Sequence, residues 1–178
     1  MQELIELIRE KALSFGEFRL ASGTVSNYYI DLSKVVMSLK GITLICFGFS
    51  RIALEEDYFW DSFDSIGGPA MGAIPLVTAM STMETDIERT FFVRQESKTY
   101  GKSDLIEGNL QAGDRVLMLE DVTTTGKSLY KSIKAVEEAG GKVVQILSVL
   151  DREAGAKAFF EERGYKFNSI LSISDIIK

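Results

Sequence analysis

At 178 residues with 46% hydrophobic content, the chain is sized for one domain, 1–178, around a single sizeable core. A net charge of -6 argues against a general nucleic-acid or anionic-membrane surface, so any anion must be held by a local cluster. The absence of histidine and a single cysteine exclude Ser-His and Cys-His nucleophilic chemistry, His-based metal sites and an internal disulfide.

The first residues, MQELIELIREK, are acidic and amphipathic rather than basic then apolar, so they are expected to stay on the chain instead of serving as a secretory signal. Leu4, Leu7, Ile8 and Ala12 recur at helical spacing, which predicts a helix ending near Ser14, broken by Phe15-Gly16. Residues 18–20 and 28–30 read as short strands around a Ser-Gly turn, a small hairpin. From about Gly41 to Glu56 the apolar residues fit a buried packing helix with Arg51 and the acids at its wetter end. Cys46 lies in this apolar stretch and reads as a buried structural thiol, which suits a reducing cytoplasm.

FDSIGGPAMGAIPL predicts a short strand, a glycine-rich loop and a helix entered around residues 71–75. Residues 65–83 are uncharged, yet glycines, prolines and hydroxyls interrupt them, so no membrane span is expected. In TFFVRQESKTYGKSDLIEG, residues 91–93 form a strand and a polar loop follows through Gly108, gathering Arg94, Lys98 and Lys102. Gly101 and Gly108 would let this loop fold over a ligand; the plain alternative is a solvated hairpin tip.

The most informative stretch is VLMLEDVTTTGKS, residues 116–128. An apolar strand ends in two acids, Glu120 and Asp121, and a loop of small hydroxylated residues opens a helix marked by Leu129, Ile133 and Val136. Unpaired amides and hydroxyls at a helix start suit a phosphate group. The dipole alone contributes only about 0.3 to 2 kcal/mol. The donors must add roughly 1.5 to 3 kcal/mol for each bond to a charged group. Gly126-Lys127-Ser128 matches the end of the triphosphate loop pattern G-x-x-x-x-G-K-S/T, but Asp121 stands where its first glycine belongs. Two carboxylates would repel a polyphosphate lying over them, whereas they can hydrogen-bond a sugar diol while the amides beyond hold a monophosphate. A ribose 5-phosphate site follows; the plain alternative is an ordinary strand-to-helix turn with two exposed acids.

Gly140-Gly141 stop that helix, and VVQILSVLD reads as another buried strand. Asp151-Arg152 then sits at its carboxyl end, where open parallel sheets place ligands. A helix over 154–163, a strand over 167–173 and a short tail complete the chain. The expected class is α/β: a mostly parallel central sheet with helices on both faces, and a small N-terminal hood over approximately 1–40.

The 116–128 stretch resembles the phosphoribosyl-diphosphate (PRPP) motif of type I phosphoribosyltransferases. The hairpin resembles the orotate-binding region of the orotate phosphoribosyltransferases, F-x-L-x-S-G-x-x-S-x-Y-Y/F, through Phe18, Leu20, Ser22, Gly23, Ser26, Tyr28 and Tyr29. The polar loop resembles that family's catalytic loop, R-K-E-x-K-x-H/Y-G, through Arg94, Glu96, Lys98, Tyr100 and Gly101. The resemblance implies the type I phosphoribosyltransferase fold, and transfer of phosphoribosyl from PRPP to orotate, giving orotidine 5'-monophosphate and pyrophosphate in pyrimidine (UMP) synthesis. It implies Mg2+ as cofactor, held mainly by PRPP with no direct protein ligand, and a cytoplasmic homodimer whose active-site loop is shared across the interface, with no nucleic-acid or membrane partner.

By the same resemblance the catalytic residues are Lys98, Glu120 and Asp121. PRPP contacts fall to Gly72, Arg94, Gln95, Lys98, Tyr100 and the run Glu120, Asp121, Val122, Thr123, Thr124, Thr125, Gly126, Lys127 and Ser128. Orotate contacts fall to Ser22, Gly23, Tyr28, Tyr29, Thr124 and Arg152, whose planar guanidinium suits the substrate carboxylate. Ala21, Gly72 and Gln95 stand where bacterial members usually carry lysines; Lys34 or Lys102 would be the compensating cations. Two other readings stay open, a phosphoribosyltransferase for another base and a non-catalytic PRPP or nucleotide-sensing regulator on the same fold.

Overall fold

The computed structural model describes residues 1–19, 25–55, 62–83, 87–96 and 105–177. Helix α1 (Gln2–Lys11) buries Leu4, Leu7 and Ile8, the face its spacing predicts. It ends earlier than Phe15-Gly16, because the chain passes directly into β1 (Leu13–Arg19), which pairs antiparallel with β2 (Val25–Ile30). Phe15 and Gly16 lie inside β1, at a register shift between Phe15 and Phe18. A short α2 (Ser33–Val36) precedes the long α3 (Leu39–Glu55), in which Ile45, Cys46, Phe49 and Ile52 are buried.

The remaining elements alternate: β3 (Ser65–Pro69), α4 (Ile74–Met83), β4 (Arg89–Val93), β5 (Ile106–Gly108), β6 (Arg115–Thr123), α5 (Lys127–Glu138), β7 (Lys142–Asp151), α6 (Ala156–Glu161), β8 (Phe167–Ser172) and α7 (Ile173–Ile176). Six of these strands form one sheet in the order β5-β4-β3-β6-β7-β8, parallel except for β5, which pairs antiparallel with β4.

Strand β6 shows why its apolar run is continuous. Side chains alternate across a strand, and both faces here are covered. Leu117 and Leu119 pack with Leu4, Ile45, Phe49 and Leu76, the layer of α1, α3 and α4. Val116 and Met118 pack with Leu129, Ile133, Val136 and Phe160, the layer of α5 and α6. All four are fully enclosed, each burial contributing about 1.5 to 3 kcal/mol.

Three expectations need correction. Strand β6 does not stop at Leu119: Glu120, Val122 and Thr123 pair with Ser148, Leu150 and Asp151, because β7 is long enough to carry the ladder past the apolar run. The polar loop ends before Gly108, since Ile106, Glu107 and Gly108 pair with Val93, Phe92 and Phe91 as the sheet's edge. The tail is a helix, α7, begun by a capping box in which Ser172 and Asp175 satisfy each other's backbone amides.

Candidate active site

The strand order reverses between β3 and β6. From β3 the chain moves through α4 to β4 on one side; from β6 it moves through α5 to β7 on the other. At such a point the loops leaving the two carboxyl ends diverge and open a crevice. Here those ends are Pro69, leading through Gly72 into α4, and the segment Glu120–Thr123, leading into α5.

Glu120 and Asp121 are adjacent in an extended strand, so their side chains leave on opposite faces. Glu120 is 9% exposed and lines a cavity of about 100 Å3 together with Ser128 and the loop from Val122 to Gly126. Asp121 is half-buried and lines a second cavity of about 500 Å3, with Gly72, Met71, Pro75 and the α2 residues Ser33 and Val36. Burial pushes the Glu120 carboxyl well above its usual range, and a hydrogen bond that its protonated form donates to the Asp121 side chain and that neighbour's charge add to the effect. Among the described residues neither acid has a salt bridge. The bidentate pairs Arg89–Asp114 and Arg115–Asp64 lie instead at the amino end of the sheet, where Arg115 holds the Asp64 carboxyl down at about 2.

Gly72 is where the loop after β3 comes against the Asp121 side chain. A Cβ there would sit 2.6 Å from the Asp121 carboxylate, so the loop after β3 reaches this acid only because position 72 has no side chain.

The loop before α5 is built for an anion. Gly126 is its N-cap in the left-handed conformation (φ 77°), and no side chain caps the helix, so the first amides keep their donors. Thr124, Thr125 and Ser128 are exposed around the small cavity. Thr123 also lines that cavity, and its hydroxyl is buried and donates to Ser148 Oγ at 2.9 Å, tying β6 to β7. Lys127 is exposed on the first turn of α5 and is not part of the cavity wall.

Arg152 follows β7 directly, and its amide donates to the Thr123 carbonyl at 2.8 Å, which places it beside the loop before α5. Its guanidinium carbon stands 5.1 Å from the centroid of the Tyr28 ring, so the N-terminal hairpin and the end of β7 meet at these two residues. Tyr29 leaves β2 on the alternate side, 46% exposed, and packs on Phe18 with ring centroids 5.6 Å apart. The adjacent tyrosines therefore do not form one surface.

Arg94 is half-buried and paired with Glu107 at 3.3 Å; Gln95 and Glu96 are exposed beyond it. Leu20, Ala21, Ser22, Gly23, Lys98, Tyr100, Gly101 and Lys102 lie outside the described residues. Lys34 is exposed on α2, the helix whose neighbouring residues line the larger cavity. Sequence reasoning missed Ser33, Val36, Met37, Met71 and Pro75 as walls of that cavity, and nothing in their order signals it. It also missed Ser148, whose partner is set by β6–β7 register.

The chain matches the phosphoribosyl transferase domain family over residues 41–167. It is 42% identical over 177 residues to a Pyrococcus horikoshii protein named orotate phosphoribosyltransferase, covering 99% of this chain and 92% of that protein. It is 41% identical over 175 residues to the Methanothermobacter thermautotrophicus protein of the same name, covering 98% of this chain and 92% of the relative. Among solved structures it superposes on Mycobacterium tuberculosis orotate phosphoribosyltransferase in complex with PRPP, with TM-score 0.79, 32% identity, and 98% and 96% of the two chains covered.

Proposed function

Because the chain belongs to the phosphoribosyl transferase family, and within it to the orotate phosphoribosyltransferases, we propose that the reversal point between β3 and β6 is where orotate and PRPP react. The observation that carries this reading is the meeting of four features at one end of the sheet. They are an uncapped helix start behind a small cavity, two acids without a salt bridge among the described residues, a glycine that lets the next loop approach, and Arg152 against Tyr28.

The 5'-phosphate would sit on the amides and hydroxyls of residues 124–128, and the ribose hydroxyls would face Glu120 and Asp121. The pyrophosphate would lie toward Gly72, Arg94 and Lys98. Arg152 would take the orotate carboxylate, with Tyr28 and Thr124 beside it. In the reaction the bond from ribose C1 to pyrophosphate oxygen breaks with its electron pair, and the lone pair of the deprotonated orotate ring nitrogen forms the new bond to C1. Positive charge develops on the sugar between these events, and the two carboxylates favour it electrostatically. No covalent intermediate and no histidine is required.

Magnesium fits this arrangement as a cation carried in by PRPP. Mg2+ is commonly bound by substrate phosphate oxygens with few protein ligands, and no cluster of three or more acidic, histidine or cysteine side chains occurs among the described residues. It would supply neutralisation of the leaving pyrophosphate. The whole chain, 1–178, would work as one domain with its hood over about 1–40. It would act as a cytoplasmic homodimer in which Lys98 of one subunit reaches the carboxylates of the other. Among the described residues no helix is long and apolar enough to cross a membrane.

The test is to mix the protein with orotate, PRPP and Mg2+ and follow loss of orotate absorbance, with adenine, guanine and hypoxanthine as competing bases. Orotate turnover without purine turnover is expected. Equal or faster consumption of a purine would reject the assignment, and PRPP binding with no turnover of any base would mark a regulator.

A further inference from the structure

We infer that Glu153 is a positioning residue that fixes the direction of the Arg152 guanidinium, a reading that rests on the proposed contact between Arg152 and the orotate carboxylate. Among the described residues Glu153 is the non-glycine residue with positive φ, 52°. A side chain disfavours that conformation, so surrounding contacts must hold it.

They do so from both sides. Toward β7, the Glu153 amide donates to Oδ1 of the buried Asp151 at 2.9 Å. Toward α7, Oε2 accepts from the Ser174 amide at 3.1 Å and Oε1 from the Ser174 hydroxyl at 3.2 Å. Ser174 lies in the capped first turn of α7, and α7 continues from Ser172, which pairs with Asp151 across the sheet. The turn is thus closed on itself: strand end, Arg152, Glu153, α7 and back through β8 to the strand end.

Arg152 is the one residue inside this closure. Its own amide is held by Thr123, so the backbone is pinned before and after the point where the side chain departs toward Tyr28. Two-point recognition of a carboxylate by a guanidinium depends on the plane of the fork, and a small displacement costs much of it. Both Glu153 carboxylate oxygens accept from Ser174, on the side of α7. The effect of Glu153 on orotate would pass wholly through Arg152.

The experiment compares steady-state kinetics of Glu153→Ala, Glu153→Gln, Arg152→Ala and the double variant Arg152→Ala/Glu153→Ala. Glu153→Ala should raise KM for orotate by about three- to tenfold while KM for PRPP stays within about twofold. Glu153→Gln, which keeps an acceptor for the Ser174 amide, should recover most of the loss. The double variant should be no worse for orotate than Arg152→Ala alone. Ser174→Ala removes the hydroxyl tether and its 2.9 Å contact with Ser172 Oγ while keeping the amide tether, and should show a smaller shift of the same kind.

An unchanged orotate KM in folded Glu153→Ala, or an equal rise in both Michaelis constants, would overturn the inference. If Arg152→Ala weakens orotate and none of the Glu153 and Ser174 variants does, the positioning role fails while the site assignment stands. If Arg152→Ala leaves orotate KM unchanged, the assignment of Arg152 fails first and this inference falls with it.

Discussion

Replacing Glu120 by Gln isolates the electrostatic cost of the acid pair. Gln keeps the shape and an oxygen that can accept the Asp121 amide, which donates to Glu120 at 3.2 Å. Glu120 is nearly enclosed, and burial together with Asp121 raises its carboxyl well above the ordinary value near 4.5. A carboxyl whose folded pKa is raised binds its proton more tightly in the native state than in the unfolded chain. Its contribution is therefore fully present below the unfolded value and is lost as pH rises toward the folded one. Within that window one proton changes stability by about 1.4 kcal/mol per pH unit. For a chain of this size about 1 kcal/mol moves Tm by roughly 2 to 4 °C. The Tm of Glu120→Gln should thus gain on the parent by up to about 3 to 5 °C per pH unit from about pH 5 upward, levelling off where Glu120 ionises. The assay is thermal unfolding across about pH 5 to 8 without PRPP or divalent cations. Turnover should meanwhile fall by about 10²-fold, because the positive charge developing on the sugar draws Glu120 into its ionised form and no such charge can form on the amide. Parallel Tm curves for the two proteins would refute the account of Glu120 as a carboxyl whose pKa is raised by its site.

Asp121→Asn should cut turnover while leaving Tm within about 2 °C, because a half-buried acid lining a cavity supports the transition state rather than the core; wild-type rates in the folded variant would reject that. Arg152→Ala should raise KM for orotate far more than KM for PRPP, and equal changes in the two would remove it from the base subsite. Gly72→Ala places a methyl where 2.6 Å separates Cβ from the Asp121 carboxylate, so the carboxylate must swing aside or the loop retreat, and turnover should drop with Tm little changed; unaltered kinetics would show that the close approach is dispensable. If Lys98 acts across a dimer, mixed Lys98→Ala and Asp121→Asn subunits should regain activity that neither variant has alone. No recovery under confirmed subunit exchange would mean that the loop serves its own chain.

Much of the fold was legible because its signals are local. The amphipathic spacing of Leu4, Leu7 and Ile8, the uninterrupted run from Val116 to Leu119 and the glycine pair at Gly140-Gly141 each announce an element without reference to the rest of the chain. The same holds for the anion loop, since a helix start with Gly126 and hydroxylated neighbours presents its amides wherever it is placed. Apart from α7, whose Ser172–Asp175 capping box is local, what failed depended on a distant partner. The extension of β6 through Glu120 to Thr123 needs the length of β7, and the strand at Ile106–Gly108 needs β4 beside it.

The sequence by itself determined which residue types stand at the strand ends and in the hairpin: paired acids, a hydroxyl-rich loop, an arginine and two tyrosines. Only the tertiary structure decided how they divide the work. Strand alternation sends Glu120 and Asp121 into separate cavities and turns Tyr28 toward Arg152 while Tyr29 rests on Phe18. Sheet register commits the Thr123 hydroxyl to Ser148, and chain reversal brings Gly72 within a methyl's reach of Asp121. The physical reason is that composition and spacing specify chemistry one segment at a time. The direction a side chain faces and the charge it can keep are set by neighbours from other segments, through burial and hydrogen bonding.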